Sequence, residues 1–128
     1  MKYDINFTQA SEILAAAGKA ENKVNLFFEA DKIYEEISAI ADDYFTEHGT
    51  YSMELIDQRC ELREKRERAC KAAFKAILTT IEMCEPSSSD YRYEHAINNA
   101  KNGYRHNLRE TLGYMEGIVR EQMNYINY

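Results

Sequence analysis

The apolar residues of this chain recur at steps of three and four positions, the spacing that is typical of amphipathic helices. The pattern predicts a short first helix that ends near Gly18, followed by three long helices over residues 22–47, over 52–85 and from 90 to the C-terminus. Residues 1–7 alternate weakly and are consistent with a short strand or an ordered arm. The second helix carries a stripe that is expected to face the core: Leu26, Ala30, Ile33, Ile37, Ala41 and Tyr44, widened by Phe27, Tyr34 and Ile40.

Two breaks separate the long helices. His48-Gly49 is a helix stop signal, and Pro86, the only proline of the chain, begins a serine-rich turn. Short turns at 48–51 and 86–89 make consecutive helices antiparallel neighbours. We therefore expect an all-α fold, an elongated antiparallel bundle of three long helices, in which residues 1–18 form a short N-terminal helix or arm. Because such a bundle leaves apolar surface uncovered, we also expect a homo-oligomer.

The composition agrees with one domain over residues 1–128, since 45% of the residues are hydrophobic and 30% are charged. No apolar run approaches the ~20 residues that span a bilayer, and the N-terminus lacks the apolar stretch of a signal peptide. We therefore expect a cytoplasmic protein without a membrane partner. The three cysteines, Cys60, Cys70 and Cys84, do not form a disulfide framework and are expected to be free thiols.

The net charge of −6 arises entirely in residues 1–50. An acidic surface repels nucleic acid, so direct binding to nucleic acid is not expected. The same surface either suits a protein partner with a basic surface or is a solvated helix face. The residues that would form the partner-binding face are Glu29, Glu35, Glu36, Asp42 and Asp43.

Charged residues interrupt the apolar stripe of the third predicted helix for two turns. On a helical projection the core-facing line there consists of Arg59, Arg63, Arg66 and Glu67. Antiparallel pairing through the turn at 48–51 places Arg63 near Glu36 and Glu67 near Lys32. Three interpretations remain open: an interhelical ion-pair layer that fixes the register, a polar pocket or partner-binding waist, or a helix that protrudes or breaks at this point.

A second polar line follows the fourth predicted helix, roughly opposite its apolar stripe. Its members are His95, Asn98, Asn99, Asn102, His106 and Arg109. The line is either a solvated face or a site for a small anionic ligand such as a nucleotide, because amide, imidazole and guanidinium groups can bind phosphate or a base edge. The ten tyrosines favour a role in binding without naming what is bound.

Several chemistries do not fit the spacing of the candidate residues. His95 and His106 are ~16 Å apart along one predicted helix, so they cannot share a metal, and no Cys-x-x-Cys or His-x-x-x-His pair occurs. No Gly-x-Ser-x-Gly occurs, and the glycines are scattered singly rather than forming a phosphate-binding loop. A helix-turn-helix over the first two helices would have an acidic recognition helix. The sequence therefore predicts no metal, no cofactor and no nucleophilic site.

Paired carboxylates on neighbouring helices give one alternative. Glu54 and Asp57 form a Glu-x-x-Asp spacing that follows the acidic second helix. In this the chain resembles the all-α nucleotide pyrophosphohydrolases, which place acidic pairs on antiparallel helices. The resemblance implies that these carboxylates hold Mg²⁺ and that the substrate is a nucleotide.

The leading hypothesis is a non-enzymatic interaction protein that binds and modulates, by inhibition, a larger protein partner. Its small size, its acidity and its lack of motifs fit a phage-type accessory protein or a host-directed inhibitor. The alternatives are a helical protein that binds a small anionic ligand and a Mg²⁺-dependent nucleotide hydrolase.

Overall fold

A computed structural model of the chain describes residues 5–84 and 90–126. Within these ranges the regular structure is helical, which confirms the predicted all-α class. The elements are the α-helices α1 Phe7–His48, α2 Met53–Glu82, α3 Tyr91–Asn102 and α4 Leu108–Gln122, and the 3₁₀ turns Arg105–Asn107 and Met123–Tyr125. None of the helices in the described part combines the length and apolarity that a bilayer crossing requires.

α1 is a single helix of 42 residues, so the predicted break near Gly18 is wrong. A glycine inside a helix costs ~1 kcal/mol relative to alanine, but Ala17 and Ala20 on either side are buried, and their packing outweighs this cost. The helix begins with a capping box: the Asn6 side chain accepts a hydrogen bond from the Gln9 backbone N–H (2.8 Å), and the Gln9 side chain accepts one from the Asn6 backbone N–H (2.9 Å).

The turn predicted at 48–51 is confirmed. Gly49 adopts a left-handed conformation with φ of 71°, and its N–H donates to the carbonyl oxygen of Phe45 (2.8 Å). Ser52 then caps α2, because its hydroxyl accepts a hydrogen bond from the Leu55 N–H (3.4 Å). α1 and α2 therefore form a long antiparallel hairpin.

α2 ends at Glu82, three residues before its predicted end. The predicted turn at 86–89, with Pro86, lies outside the described residues. α3 begins after Asp90, as predicted, because the Asp90 carboxylate accepts a hydrogen bond from the Arg92 N–H (3.0 Å). The Arg92 guanidinium also binds this carboxylate (2.9 Å) and holds the pKa of Asp90 below its usual range.

The prediction of one long C-terminal helix is wrong, because the chain breaks at Gly103. Gly103 has a left-handed φ of 69°, and its N–H donates to the carbonyl oxygen of Asn99 (2.9 Å). The next residue, Tyr104, is extended and leads through a 3₁₀ turn into α4. α4 folds back on α3, so that the rings of His95 and Tyr114 stack with their centroids 5.9 Å apart.

Gly18 and Gly103 give a matched pair of substitutions, because a Cβ at either position meets no atom within 4 Å. We expect Gly103→Ala to lower the free energy of unfolding by about 1–2 kcal/mol, since alanine is strained at positive φ. We expect Gly18→Ala to raise it by about 0.5–1 kcal/mol, since Gly18 is helical. Urea denaturation of both variants measures the difference, and a gain of stability at Gly103 would contradict the helix break.

The core lies where α3 and α4 pack against α1 and α2. Its largest fully buried side chains include Ile13 and Phe27 of α1, Ile77 and Ile81 of α2, and Leu108 and Met115 of α4. Ile5, which directly precedes the cap of α1, is also buried, and its N–H donates to the carbonyl oxygen of Tyr125 (3.0 Å). The start of the described chain is therefore held against its own C-terminal end, which closes the bundle.

Helices α1 and α2 extend beyond this core as an arm, which we define as residues 31–65. Within these residues, all of which the structure describes, Ala41 alone is buried. The stripe predicted to face the core is consequently only half correct. Leu26, Ile33 and Ile40 are 53%, 43% and 51% exposed, because no third helix covers this side of α1.

Candidate functional site

An apolar surface runs along one side of the α1–α2 hairpin. On α1 it consists of Leu26, Ile33 and Ile40, which follow one another at intervals of seven residues. On α2 it consists of the half-buried Leu55 and Leu62, which are also seven residues apart. A seven-residue spacing keeps side chains in one row along a helix, with a drift of ~20° per repeat. We call these five residues the arm face, although Leu26 lies on α1 just before the arm itself. A seven-residue repeat of apolar side chains fills one of the two apolar positions in the repeat by which helices associate.

The two rows of the arm face continue into a basic groove. The α1 row extends back by seven residues to Lys19, and the α2 row extends forward through Ala69 to Ala76. Lys19 and Ala76 line a groove of about 300 Å³, whose described lining belongs to α1 and α2 and includes Lys23 and Lys75. The opposite end of the α1 row is acidic, because Glu47 follows Ile40 by seven residues. One surface is thus basic at one end, apolar in the middle and acidic at the other end.

Ion pairs between the two helices of the arm set its register. Arg66 binds Asp31 (3.1 Å) and Glu35 (3.5 Å), and Arg59 binds Asp42 (3.3 Å). These pairs place Leu62 near the level of Ile40. Arg66 is the most buried charged residue of the described chain, and its guanidinium lies 3.9 Å from the centre of the Tyr34 ring.

The other two residues of the predicted polar layer are exposed. Arg63 and Glu36 make no ion pair in the described structure; Arg63 lies instead beside the Tyr34 hydroxyl and lowers the pKa of Tyr34. Glu67 makes no ion pair with Lys32 and lines a cleft next to α3. The charged interruption therefore does not break α2, and two of its four members, Arg59 and Arg66, form ion pairs with α1.

The structure divides the acidic residues of α1 into two groups. Glu35 and Asp42 contact the arginines of α2. Glu29, Glu36 and Asp43, which are seven residues apart, are exposed and form a row beside the apolar row of the arm face. This second group is the acidic surface that a partner could reach.

The six residues of the predicted C-terminal polar line do not share one line, because the break at Gly103 separates them. His95 stacks on Tyr114, and the Arg109 guanidinium lies 4.2 Å from the centre of the Phe28 ring. Asn99 is half-buried and Asn102 is exposed at the end of α3, whereas His106 lies in the following turn. The structure brings His106, not the whole set, into a cleft.

That cleft has a volume of about 270 Å³ and lies where the turn between α3 and α4 meets α1 and α2. Phe27 and Cys70 contribute its apolar walls, and Arg66, Arg105 and His106 contribute polar groups. The Cys70 thiol lies 3.9 Å from the carbonyl oxygen of Gly103, and burial raises its pKa. The sequence singled out Arg66 and His106 for separate reasons, and the fold places both on the same cleft.

The structure does not bring Glu54 and Asp57 into a group of side chains that could bind Mg²⁺. Both side chains are exposed, and within the described residues no three His, Cys, Asp or Glu side chains lie close enough to hold a metal ion. Cys70 and Cys84 are buried thiols, and burial raises the pKa of Cys84 to about 11. A thiol of that pKa is protonated at neutral pH and is a weak nucleophile.

Sequence reasoning missed the arm face, although its signal was present. The seven-residue spacing of Lys19, Leu26, Ile33, Ile40 and Glu47 is visible in the chain, but the pattern alone places its apolar residues in the core.

Similarity to known proteins gives no further information about this chain. No family model matches the chain, and comparisons with curated proteins and with solved structures found no match.

Proposed function

We propose that this chain is a non-enzymatic interaction protein that pairs with a second copy of itself through the arm face. The exposed apolar row of Leu26, Ile33 and Ile40 carries the proposal. Three large aliphatic side chains exposed in one row on a projecting helix are the usual sign of a binding surface rather than of a solvated one.

The charge pattern along α1 favours a second copy as the occupant. If two α1 helices pair antiparallel about Ile33, Leu26 of each copy lies opposite Ile40 of the other, because both are seven residues from the centre. Lys19 then lies opposite Glu47, because both are fourteen residues from it. The same surface is complementary to itself, as a two-fold interface requires.

The size of the surface approaches that of a standard dimer interface. The hairpin between Ala30 and Gly49 is about 30 Å long at ~1.5 Å per residue, and two helices side by side are about 20 Å wide. One face of the arm therefore covers roughly 600 Å² before the groove is added, against about 800 Å² per partner in a standard interface. The basic groove extends the contact toward that value.

The acidic row of Glu29, Glu36 and Asp43 lies at the edge of this interface. At that edge it is open to a larger protein with a basic surface. The dimer would present two such rows, so that binding and modulation of a basic partner remain the proposed role of the acidic surface.

Two leucines of α1 with the same exposure allow a controlled test. Leu26 and Leu14 are each 53% exposed, but Leu14 lies beside α4, outside the arm face. We expect sedimentation equilibrium of the native protein to give twice the chain mass of 14.9 kDa. Leu26→Glu should weaken the dimer by about 100-fold or more, because each interface then buries two unpaired carboxylates. Leu14→Glu should leave the affinity unchanged.

A native protein that stays monomeric at 100 μM, a concentration about 100-fold above an ordinary micromolar Kd, would contradict the proposal. Equal dissociation by both variants would also contradict it, since the effect would then come from added charge and not from the arm face. Far-UV circular dichroism of each variant establishes that the helices are intact.

A further inference from the structure

The cleft where the turn between α3 and α4 meets α1 and α2 shares none of its described lining residues with the arm face or the basic groove. We propose that this cleft binds the phosphate group of a small phosphorylated molecule of about the size of a mononucleotide. The described residues that line the basic groove beside the arm face belong to α1 and α2, whereas this cleft includes the turn from Gly103 to His106. The two surfaces can therefore be occupied separately.

Arg66 is a buried cation of the proposed site whose position is fixed by ion pairs. The residue is 6% exposed, and one of its terminal nitrogens binds Asp31 and Glu35. Its Nε is buried and has no hydrogen-bond partner among the described residues. A buried donor without a partner is costly, and on a cation the cost is larger. Because the Arg66 side chain also lines the cleft, an oxyanion bound there would supply the missing acceptor once the guanidinium turns toward it.

The remaining polar residues of the cleft have the charge that such a ligand requires. Lys71 and Arg105 line it together with His106, and Glu67 is its one acidic residue among those described. Lys71 and Arg105 are exposed and take part in no ion pair of the described structure. Two unpaired cations beside a buried arginine form a site for an anion, because charge-assisted hydrogen bonds to an oxyanion are stronger than neutral ones.

The aromatic residues and the volume of the cleft define the rest of the ligand. The rings of Tyr104 and His106 stack with centroids 5.7 Å apart and an interplanar angle of 11°. Their outer faces offer a flat surface on which a base can stack. The volume of about 270 Å³ is close to the lower limit of about 300 Å³ for small-molecule sites. The volume of the cleft is therefore suited to a phosphate that carries one group of about the size of a nucleoside.

A titration followed by NMR tests the site directly. The probes are inorganic phosphate, AMP and adenosine, added to ¹⁵N-labelled native protein. We expect phosphate and AMP to shift the amide signals of residues 103–107, and adenosine at the same concentration to shift them far less, because it lacks the phosphate. Arg105→Gln should weaken AMP binding by about tenfold, the loss typical of one charge-assisted contact. Arg68→Gln is the control, because Arg68 is an exposed arginine of α2 that does not line the cleft.

Each outcome has a defined meaning. Tighter binding of AMP than of phosphate supports the site and assigns the base to the Tyr104–His106 surface. Equal binding of the two supports the phosphate contact alone. The proposal is overturned if neither probe shifts the turn, if adenosine acts as strongly as AMP, or if Arg105→Gln, shown to be folded by circular dichroism, binds AMP as the native protein does.

Discussion

Replacement of Ile77 by alanine is expected to lower the free energy of unfolding by about 3–4 kcal/mol. Ile77 is fully buried on α2, beside Phe74 and Ile81 in the core. Removing its side chain leaves a cavity that helices packed on both sides cannot collapse to fill. Since the free energy of unfolding of a small protein is about 5–15 kcal/mol, this loss is a large part of the total stability. Urea denaturation should show a lower midpoint with an unchanged slope.

The control is Ile40→Ala, measured at a protein concentration at which the chain is monomeric. Ile40 is 51% exposed on the arm, and its removal from the monomer should change stability by less than about 0.5 kcal/mol. The two substitutions delete the same atoms from two parts of one hairpin. An equal loss at both positions would mean that the arm is packed as tightly as the core, and would refute the distinction between them.

Helix ends show how far the sequence alone could go. Both Gly49 and Gly103 end helices with a left-handed φ, whereas Gly18 lies inside one. The turn at Gly49 was predictable because the apolar periodicity stops there. The pattern predicts a helix end near Gly18 and an unbroken helix through Gly103, and the structure shows the reverse at both positions. What separates them is tertiary packing: buried alanines flank Gly18, while the chain after Gly103 turns back along α3.

The apolar stripe of α1 failed for a different reason. Periodicity correctly identified Ala30 and Ala41 as buried, but it cannot say which part of an apolar stripe another helix covers. The segment after Asp90, for which the pattern predicts one long helix, is instead folded into two short helices beside the first half of α1, and neither covers Ile33 or Ile40. Part of the predicted core of the hairpin was therefore left as surface.

The sequence singles out the residues of the cleft separately and does not show that they belong to one site. Arg66 stood out as a charge on an apolar line, and His106 as a member of a polar line on another helix. Their meeting on one cleft depends on the left-handed turn at Gly103, which sequence reasoning treated as helix. Residue types that bind anions could be predicted from the sequence, but the site they form could not.

A cysteine placed at the centre of the proposed interface is expected to link two chains. With Cys60 replaced by serine, the remaining cysteines, Cys70 and Cys84, are buried. In this background Ile33→Cys should form a disulfide-linked dimer under mild oxidation, because the two-fold axis passes near residue 33. A disulfide requires Cα atoms within about 7 Å, so the reaction reports the register and not mere association. Non-reducing electrophoresis and mass spectrometry measure the yield.

The flanking row supplies the controls for this experiment. Leu26→Cys alone should not crosslink, because in an antiparallel pair its two copies lie about 21 Å apart along the helices, fourteen residues at ~1.5 Å each. A mixture of Leu26→Cys with Ile40→Cys should crosslink, because the pairing about Ile33 brings these positions together. If Leu26→Cys links to itself as efficiently as Ile33→Cys, the helices do not pair antiparallel about Ile33. In that case the opposed charges of Lys19 and Glu47 cannot be what aligns the two copies.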